Sequence, residues 1–402
     1  MKNIFRIGLM IAFGSVLFTA CNDDMEQFIE TPPPVTTMSS ITDTLASPAR
    51  ANDSLYYRLI VRAGMTGTLD NLANRYTVFV PNNDAMKVFI NAASGGAVPL
   101  NAPNSVFSTF IQTSLPAATA AQIIGYNTIP QAVPYAGMTN VFPNFQYPSM
   151  LNPAPAISSL LRLTTFPSPR NGNFLNNIPV ISADIQAGNG YIHEVAAMPV
   201  PPSQFLWDRI NTDPQLTYLK AAILRADSGT GSPGTLQAAL LNIGANLTVY
   251  APTDAAMQQG LTFAIYTALV QMGVPTGTAM TQATALASTP AVFSNPALYP
   301  VLTAQVVKGI VVYHLMQVRA FNNNLPTTAA NFPTLLNSAF PGHPGIALQA
   351  SFTGPIVSAA TVKGMVNPTA SNILINPNPG GTSDQNYLNG VLHKIDQVLL
   401  PQ

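Results

Sequence analysis

The run Thr77-Val78-Phe79-Val80 ends at Pro81, and the same pattern returns as Thr248-Val249-Tyr250-Ala251 before Pro252. A short, continuously apolar or β-branched run of this kind reads as a buried strand, and proline stops it. Asn82 and Thr253 follow at matching positions, where a side-chain oxygen can cap a helix. Asp84 and Asp254 then fall in the first turn, where the positive helix end favours a carboxylate. Each segment therefore predicts a strand that turns abruptly into a helix. Helical periodicity precedes both, over residues 55–63 and 218–226, with a second short helix around Leu69 and Leu236.

A second pair of segments closes the pattern. Asn189-Gly190-Tyr191-Ile192-His193-Glu194-Val195 and Asn389-Gly390-Val391-Leu392-His393-Lys394-Ile395-Asp396 both open on Asn-Gly. That dipeptide is a strong turn signal because both residues tolerate positive φ, and a strand is predicted after each. The two landmarks lie about 29 residues further apart in the second copy, and the excess is expected in loops around 276–300 and 376–386, both rich in turn residues. The order of elements predicts an α+β chain of two related units, residues 39–202 and 203–402, with the boundary near Pro201-Pro202.

The first residues follow another pattern. Lys2 and Arg6 precede an apolar run from Ile7 to Phe18, and small residues lead to Cys21, the one cysteine of the chain. Residues 1–20 read as a secretion signal, too short and wrongly flanked for a membrane span. The ending resembles the lipobox of bacterial lipoproteins, which implies that Cys21 is lipidated and holds the chain on a membrane. The bland alternative is a buried free thiol after an uncleaved start. Residues 21–38, with Asn22-Asp23-Asp24 and Thr31-Pro32-Pro33-Pro34, read as an exposed, semi-stiff tether. The acidic residues behind the cysteine also resemble the export signal of surface lipoproteins in the Bacteroidetes, an ordinary solvated patch being the other reading.

Composition narrows the function classes. Of the 402 residues only 8% are charged, and the formal net charge is zero. Without Lys2 and Arg6 the remainder carries 14 basic against 16 acidic residues, near −2. No basic patch exists, which argues against nucleic acid as a partner. No later run reaches the 18 or so apolar residues of a second anchor.

The two landmarks, in this order, resemble those of the fasciclin (FAS1) domain family. That family closes with Asn-Gly-x-Ile-His-x-Ile-Asp-x-Val-Leu-Leu-Pro, and residues 389–401 follow it almost throughout, whereas the first copy drifts at Ala196-Ala197-Met198. The family's Tyr-His pair is matched by Tyr313-His314, and the first copy has Tyr126-Asn127 at the corresponding place. The resemblance covers about residues 39–402 and implies two tandem units, each a β-sandwich or wedge with helices packed on one side. It implies adhesion to other proteins, matrix or glycans, with Tyr313 and His314 as contact residues.

Nothing in the residues suggests catalysis, a metal or a cofactor. His193 and His393 recur at matching strand positions and read as hydrogen-bonded core histidines. No ligand spacing suits zinc, and His343, in a Gly- and Pro-rich turn, is expected in solvent. Gly229-Thr230-Gly231-Ser232-Pro233-Gly234 has the spacing of a dinucleotide fingerprint but follows a helical pattern, so it reads as a helix-to-helix loop. Trp207 reads as core of the second unit's opening helix. Tyr135 and Tyr147, with Phe142 and Phe145 between prolines, form either an exposed contact loop or a loop pinned to the core. Asp43-Thr44-Leu45 and Asp53-Ser54-Leu55 resemble short O-glycosylation sites of Bacteroidetes secreted proteins. The combined expectation is a non-catalytic, outer-membrane, lipid-anchored adhesion or binding protein, periplasmic or surface-exposed. The alternative is a surface glycan-binding component of a nutrient-uptake system.

Overall fold

The computed structural model describes residues 38–402. The expected signal, Cys21 and the tether up to residue 37 lie outside the described residues. Two strands that the sequence marked in each half prove to be direct neighbours. Tyr76–Pro81 runs parallel to Gly190–Val195, with Tyr76 opposite Gly190 and Pro81 opposite Val195. Leu247–Pro252 runs parallel to Gly390–Ile395 in the same register, Leu247 opposite Gly390 and Pro252 opposite Ile395. Parallel strands need a long crossover, and the helices between the landmarks supply it.

The flanking strands repeat as well. Thr128–Ile129 pairs antiparallel with Thr77 and Val78, and Leu315–Met316 pairs with Val249 and Thr248. On the other side lie Ile178–Ala187 in the first half and Gln385–Tyr387 in the second. Two further short strands, Phe174–Leu175 and Pro167–Ser168, extend the first sheet to six strands. The second half instead carries a separate four-stranded antiparallel sheet, Ala330–Phe332, Ile346–Thr353, Ile356–Lys363 and Ser371–Asn372.

Alternation along the central strands sends side chains into two cores. Val78, Val80 and Ile192 join Leu59, Ile60, Phe107 and Ile124 of the helices, while Phe79 and Val195 face Ile129, Tyr135 and Leu175. In the second half Val249, Ala251 and Leu392 face the helices, and Tyr250 and Ile395 pack on Ile346, Leu348 and Val362 of the second sheet. A strand covered on both faces must be apolar at every position, which explains why these runs do not alternate with polar residues. Each half is thus an α+β unit with helices on one face of its central sheet.

The strand-to-helix turns form as the sequence predicts. The Asn82 side chain accepts the Ala85 N–H at 2.9 Å, and Thr253 Oγ1 accepts that of Ala256 at 3.3 Å. The expected loop at 276–300 is a correction. Thr276–Leu286 is helical, followed by 3-10 turns at Pro290–Ser294 and Pro296–Leu298, and the preceding helix Asp254–Gln271 has 18 residues against 11 in Asn83–Ala93. Threonine and glycine mask that helix in the sequence, but Ala279 and Ala283, one turn apart, give it a buried face. Among the described residues no helix is long and apolar enough to cross a membrane.

Candidate functional site

The two Tyr-x positions are equivalent in space. Helix Ala117–Tyr126 ends at Asn127, whose carbonyl accepts the Phe79 N–H, and helix Ala304–Tyr313 ends at His314, whose carbonyl accepts that of Tyr250. Neither tyrosine presents itself to solvent. Tyr313 is fully buried, donates its hydroxyl to the Gly345 carbonyl at 2.6 Å and accepts the Met365 N–H at 2.9 Å. His314 is 2% exposed. Its Nδ1 donates to the Ile310 carbonyl at 2.8 Å, and its Nε2 accepts the Leu399 N–H at 2.9 Å. Burial pulls its pKa down to about 4, so the ring is neutral at pH 7.

Tyr135 and Tyr147 are buried too. Tyr135 donates its hydroxyl to the Phe174 carbonyl at 2.6 Å and its N–H to Asp184 at 2.7 Å, with its ring edge-on to His193. Tyr147 and Pro148 form a short ladder opposite Thr165 and Thr164. The loop is therefore pinned by its tyrosines, and Phe145 and Val141 remain its exposed apolar side chains. Tyr135, Tyr313 and His314 turn inward for one reason: a tyrosine or histidine whose polar tip finds a backbone partner buries its ring at little cost. Apart from Ile310, one turn before His314, these partners lie tens of residues away in sequence, so local pattern gave no sign of them.

The paired histidines are built alike. His193 Nδ1 accepts the Asp184 N–H at 3.0 Å and Nε2 donates to the Val133 carbonyl. His393 repeats this with Asp384 at 3.1 Å and Ala320. Both aspartates have positive φ, 59° and 54°, which turns the N–H toward the ring. Burial lowers both imidazole pKa values, so these are structural histidines. His343, expected in solvent, is half-buried: it donates to the Pro401 carbonyl at 2.9 Å and packs edge-on against Tyr313. Trp207 lies in the core of the second half, and residues 229–234 join two helices. Among the described residues, no group of three or more His, Cys, Asp or Glu is placed to hold a metal.

What sequence reasoning missed is the seam between the halves. Arg319 is buried, donating to Asn246 and Asn386 side chains and to the Tyr387 and Leu388 carbonyls, with its guanidinium 5.0 Å from the Phe166 ring of the other half. Asn386 donates onward to the Tyr126 hydroxyl. Asn171 reaches the Asn323 and Leu325 carbonyls, and Phe166 packs with Phe321 and Val391. Beside this seam lies a cleft of about 530 Å³, walled by Asn177 to Pro179, by the inter-unit segment from Ala197 to Gln204, and by the loop Pro377 to Gly380. One sign was legible in the sequence: residues 88–161 and 255–307 contain no Asp, Glu, Lys or Arg. These stretches form the outer helices of both halves and expose Val88, Leu100, Val106, Phe263, Met272 and Met280.

These features define a class: a tandem of two α+β modules, each built on one parallel strand pair and joined by a buried polar seam. Residues 52–201 match the fasciclin domain family. A solved FAS1 domain pair from the insect cell adhesion molecule fasciclin I is 14% identical, covering 88% of this chain and 98% of that one, at a TM-score of 0.33. At that score the likeness carries no argument, and the duplication stands on the matched registers of the two central sheets. No curated protein matches the chain.

Proposed function

We propose that the protein is a non-catalytic binding module of a bacterial envelope, held on the outer membrane by a lipid on Cys21 and adhering through two fasciclin-like units. The uncharged outer helices carry this reading, because they expose apolar side chains on a surface with no field to steer charged partners. Partners would be held by apolar contact and neutral hydrogen bonds. Acyl chains contribute about 0.8 kcal/mol per buried methylene, so a multiply acylated cysteine would fix the module on its membrane. Many copies on one surface would turn weak contacts into firm attachment.

The test is adhesion of beads coated with the mature chain to extracellular matrix proteins and to cells at 50 and 500 mM NaCl, with mass spectrometry of the N-terminal peptide from the native membrane. Adhesion that persists at high salt and an acylated Cys21 support the reading. Salt-sensitive or absent adhesion, or an unmodified N-terminus, would overturn it. The second reading, capture of glycans for uptake, is favoured by the cleft at the seam, whose accessible polar groups are side-chain amides and a hydroxyl.

A further inference from the structure

The seam cleft differs from the rest of the surface in being concave, rigid and electrically quiet. At about 530 Å³ it falls in the range of roughly 300–1,000 Å³ typical of ligand sites. One wall is held shut by its own hydrogen bonds. Thr382 and Ser383 donate backbone N–H groups to the Asn376 carbonyl, and Gln385 donates to the carbonyls of Asn378 and Ser383 while accepting from Gly380. Arg209 clamps the same loop through the Gly380 and Gly381 carbonyls, both at 3.1 Å. Gly381 has no room for a side chain, since a Cβ there would lie 2.3 Å from the Asn376 oxygen. The opposite wall contains Pro201 and Pro202, and Pro377 and Pro379 stiffen the loop.

The charged residues lining the cleft are already engaged. Arg209 pairs with Asp213 at 2.8 Å, and Asp384 accepts both the backbone and side-chain N–H groups of Asn322. The side chains left free to bind are those of Asn177, Ser203, Gln204 and Asn378, which make no hydrogen bond among the described residues. Each can donate and accept at once, as a sugar hydroxyl does. The neighbouring strand Gln385–Tyr387 is closed to an added peptide strand at its end. The Leu388 N–H is taken by the Gln204 carbonyl, and Arg319 takes the carbonyls of Tyr387 and Leu388.

We infer that this cleft binds a short stretch of an uncharged polysaccharide, its hydroxyls met by the four free polar side chains and its C–H faces lying on Val200 and the prolines. The inference deepens the glycan reading above and does not depend on the lipid anchor. With no exposed aromatic platform in the cleft, affinity per site is low and avidity matters.

The test is isothermal titration of the mature chain with maltohexaose, cellohexaose, mannohexaose and xylohexaose, with oligogalacturonate as an anionic control and a Gly-Ser hexapeptide as a peptide control. Binding of at least one neutral hexasaccharide, changed less than twofold between 50 and 500 mM NaCl, is expected. A Val200→Trp variant that fills the cleft, and a milder Gln204→Ala/Asn378→Ala pair whose melting temperature matches the parent, should each weaken it tenfold or more. No binding by any of the four sugars, binding only of the oligogalacturonate or the peptide, or full binding by the Ala pair would overturn the inference. Loss of cleft binding with bead adhesion intact separates failure of the cleft from failure of the adhesion reading.

Discussion

His314 Nε2 accepts the backbone N–H of Leu399 at 2.9 Å and so ties the end of the last helix to the C-terminal segment of the chain. The bond needs an unprotonated Nε2, since the Nδ1 hydrogen is given to Ile310. Burial holds the folded pKa at about 4, below the unfolded value of 6.5. The stability this provides is present above pH 6.5 and is lost as pH falls toward 4, amounting to about 3 kcal/mol from this group. Urea titrations at pH 7 and pH 4.5 should show that loss. His314→Ala should cost about 1–3 kcal/mol at pH 7 and flatten part of the acid slope, His193 and His393 keeping the remainder. An unchanged slope would mean that the ring is not held neutral by the fold.

Asp53 behaves in the opposite sense. It is buried beside Arg50, which also pairs with Glu194, and burial raises its pKa to about 6 from 3.8 against the attraction of Arg50. A carboxyl with a raised folded pKa is stabilising in its protonated form. Its contribution is whole below pH 3.8 and fades as pH climbs through 6. Asp53→Asn should therefore leave stability little changed at pH 5 and improve it relative to the parent at pH 8, read by chemical denaturation at both values. Equal losses at both would show that the carboxylate is needed for its charge.

Calorimetry will report on the seam. Arg319 satisfies four acceptors from a buried position, so removing it strands several polar groups. The parent should melt in one transition, and Arg319→Ala should lose about 3–5 kcal/mol and split the trace into two. Lysine, a point charge without the planar fork, should not restore the single peak. Two transitions in the parent would show that the halves are energetically independent.

Gly190 and Gly67 make a matched pair of tests. A Cβ at Gly190, where φ is 146°, would lie 1.8 Å from the Tyr76 oxygen, whereas Gly67 has open space around it on a short helix. Gly190→Ala should abolish soluble folded protein, and Gly67→Ala should be neutral or gain up to about 1 kcal/mol by thermal melt.

The duplicated strand pair was readable because a strand buried on both faces leaves an unbroken apolar run. Asn-Gly marked the place of its partner, although the turns are Gly188-Asn189 and Leu388-Asn389, with Gly190 and Gly390 already in the strands and neither asparagine at positive φ. Asn82 and Thr253 were readable for a related reason, since caps act over three residues. Tyr135, Tyr313 and His343 were not, because their burial depends on carbonyls brought near by the fold. The helix at Thr276–Leu286 was hidden by a composition of alanine, threonine and glycine with almost no large apolar residue. The seam was hidden most completely. Arg319, Asn322 and Asn324 look like surface residues, and they are buried because partners elsewhere in the chain take up their hydrogen bonds.

The two long uncharged stretches have a further consequence. An enzyme of trypsin's specificity must find lysine or arginine, and none stands between Lys87 and Arg162 or between Arg225 and Lys308. The outer helices within these stretches thus offer such proteases nothing to cut, and the sites fall at their borders, as at the exposed Arg162 that follows the loop of Ile157 and Leu160. Digestion by enzymes of that kind would therefore leave both stretches as large uncut fragments.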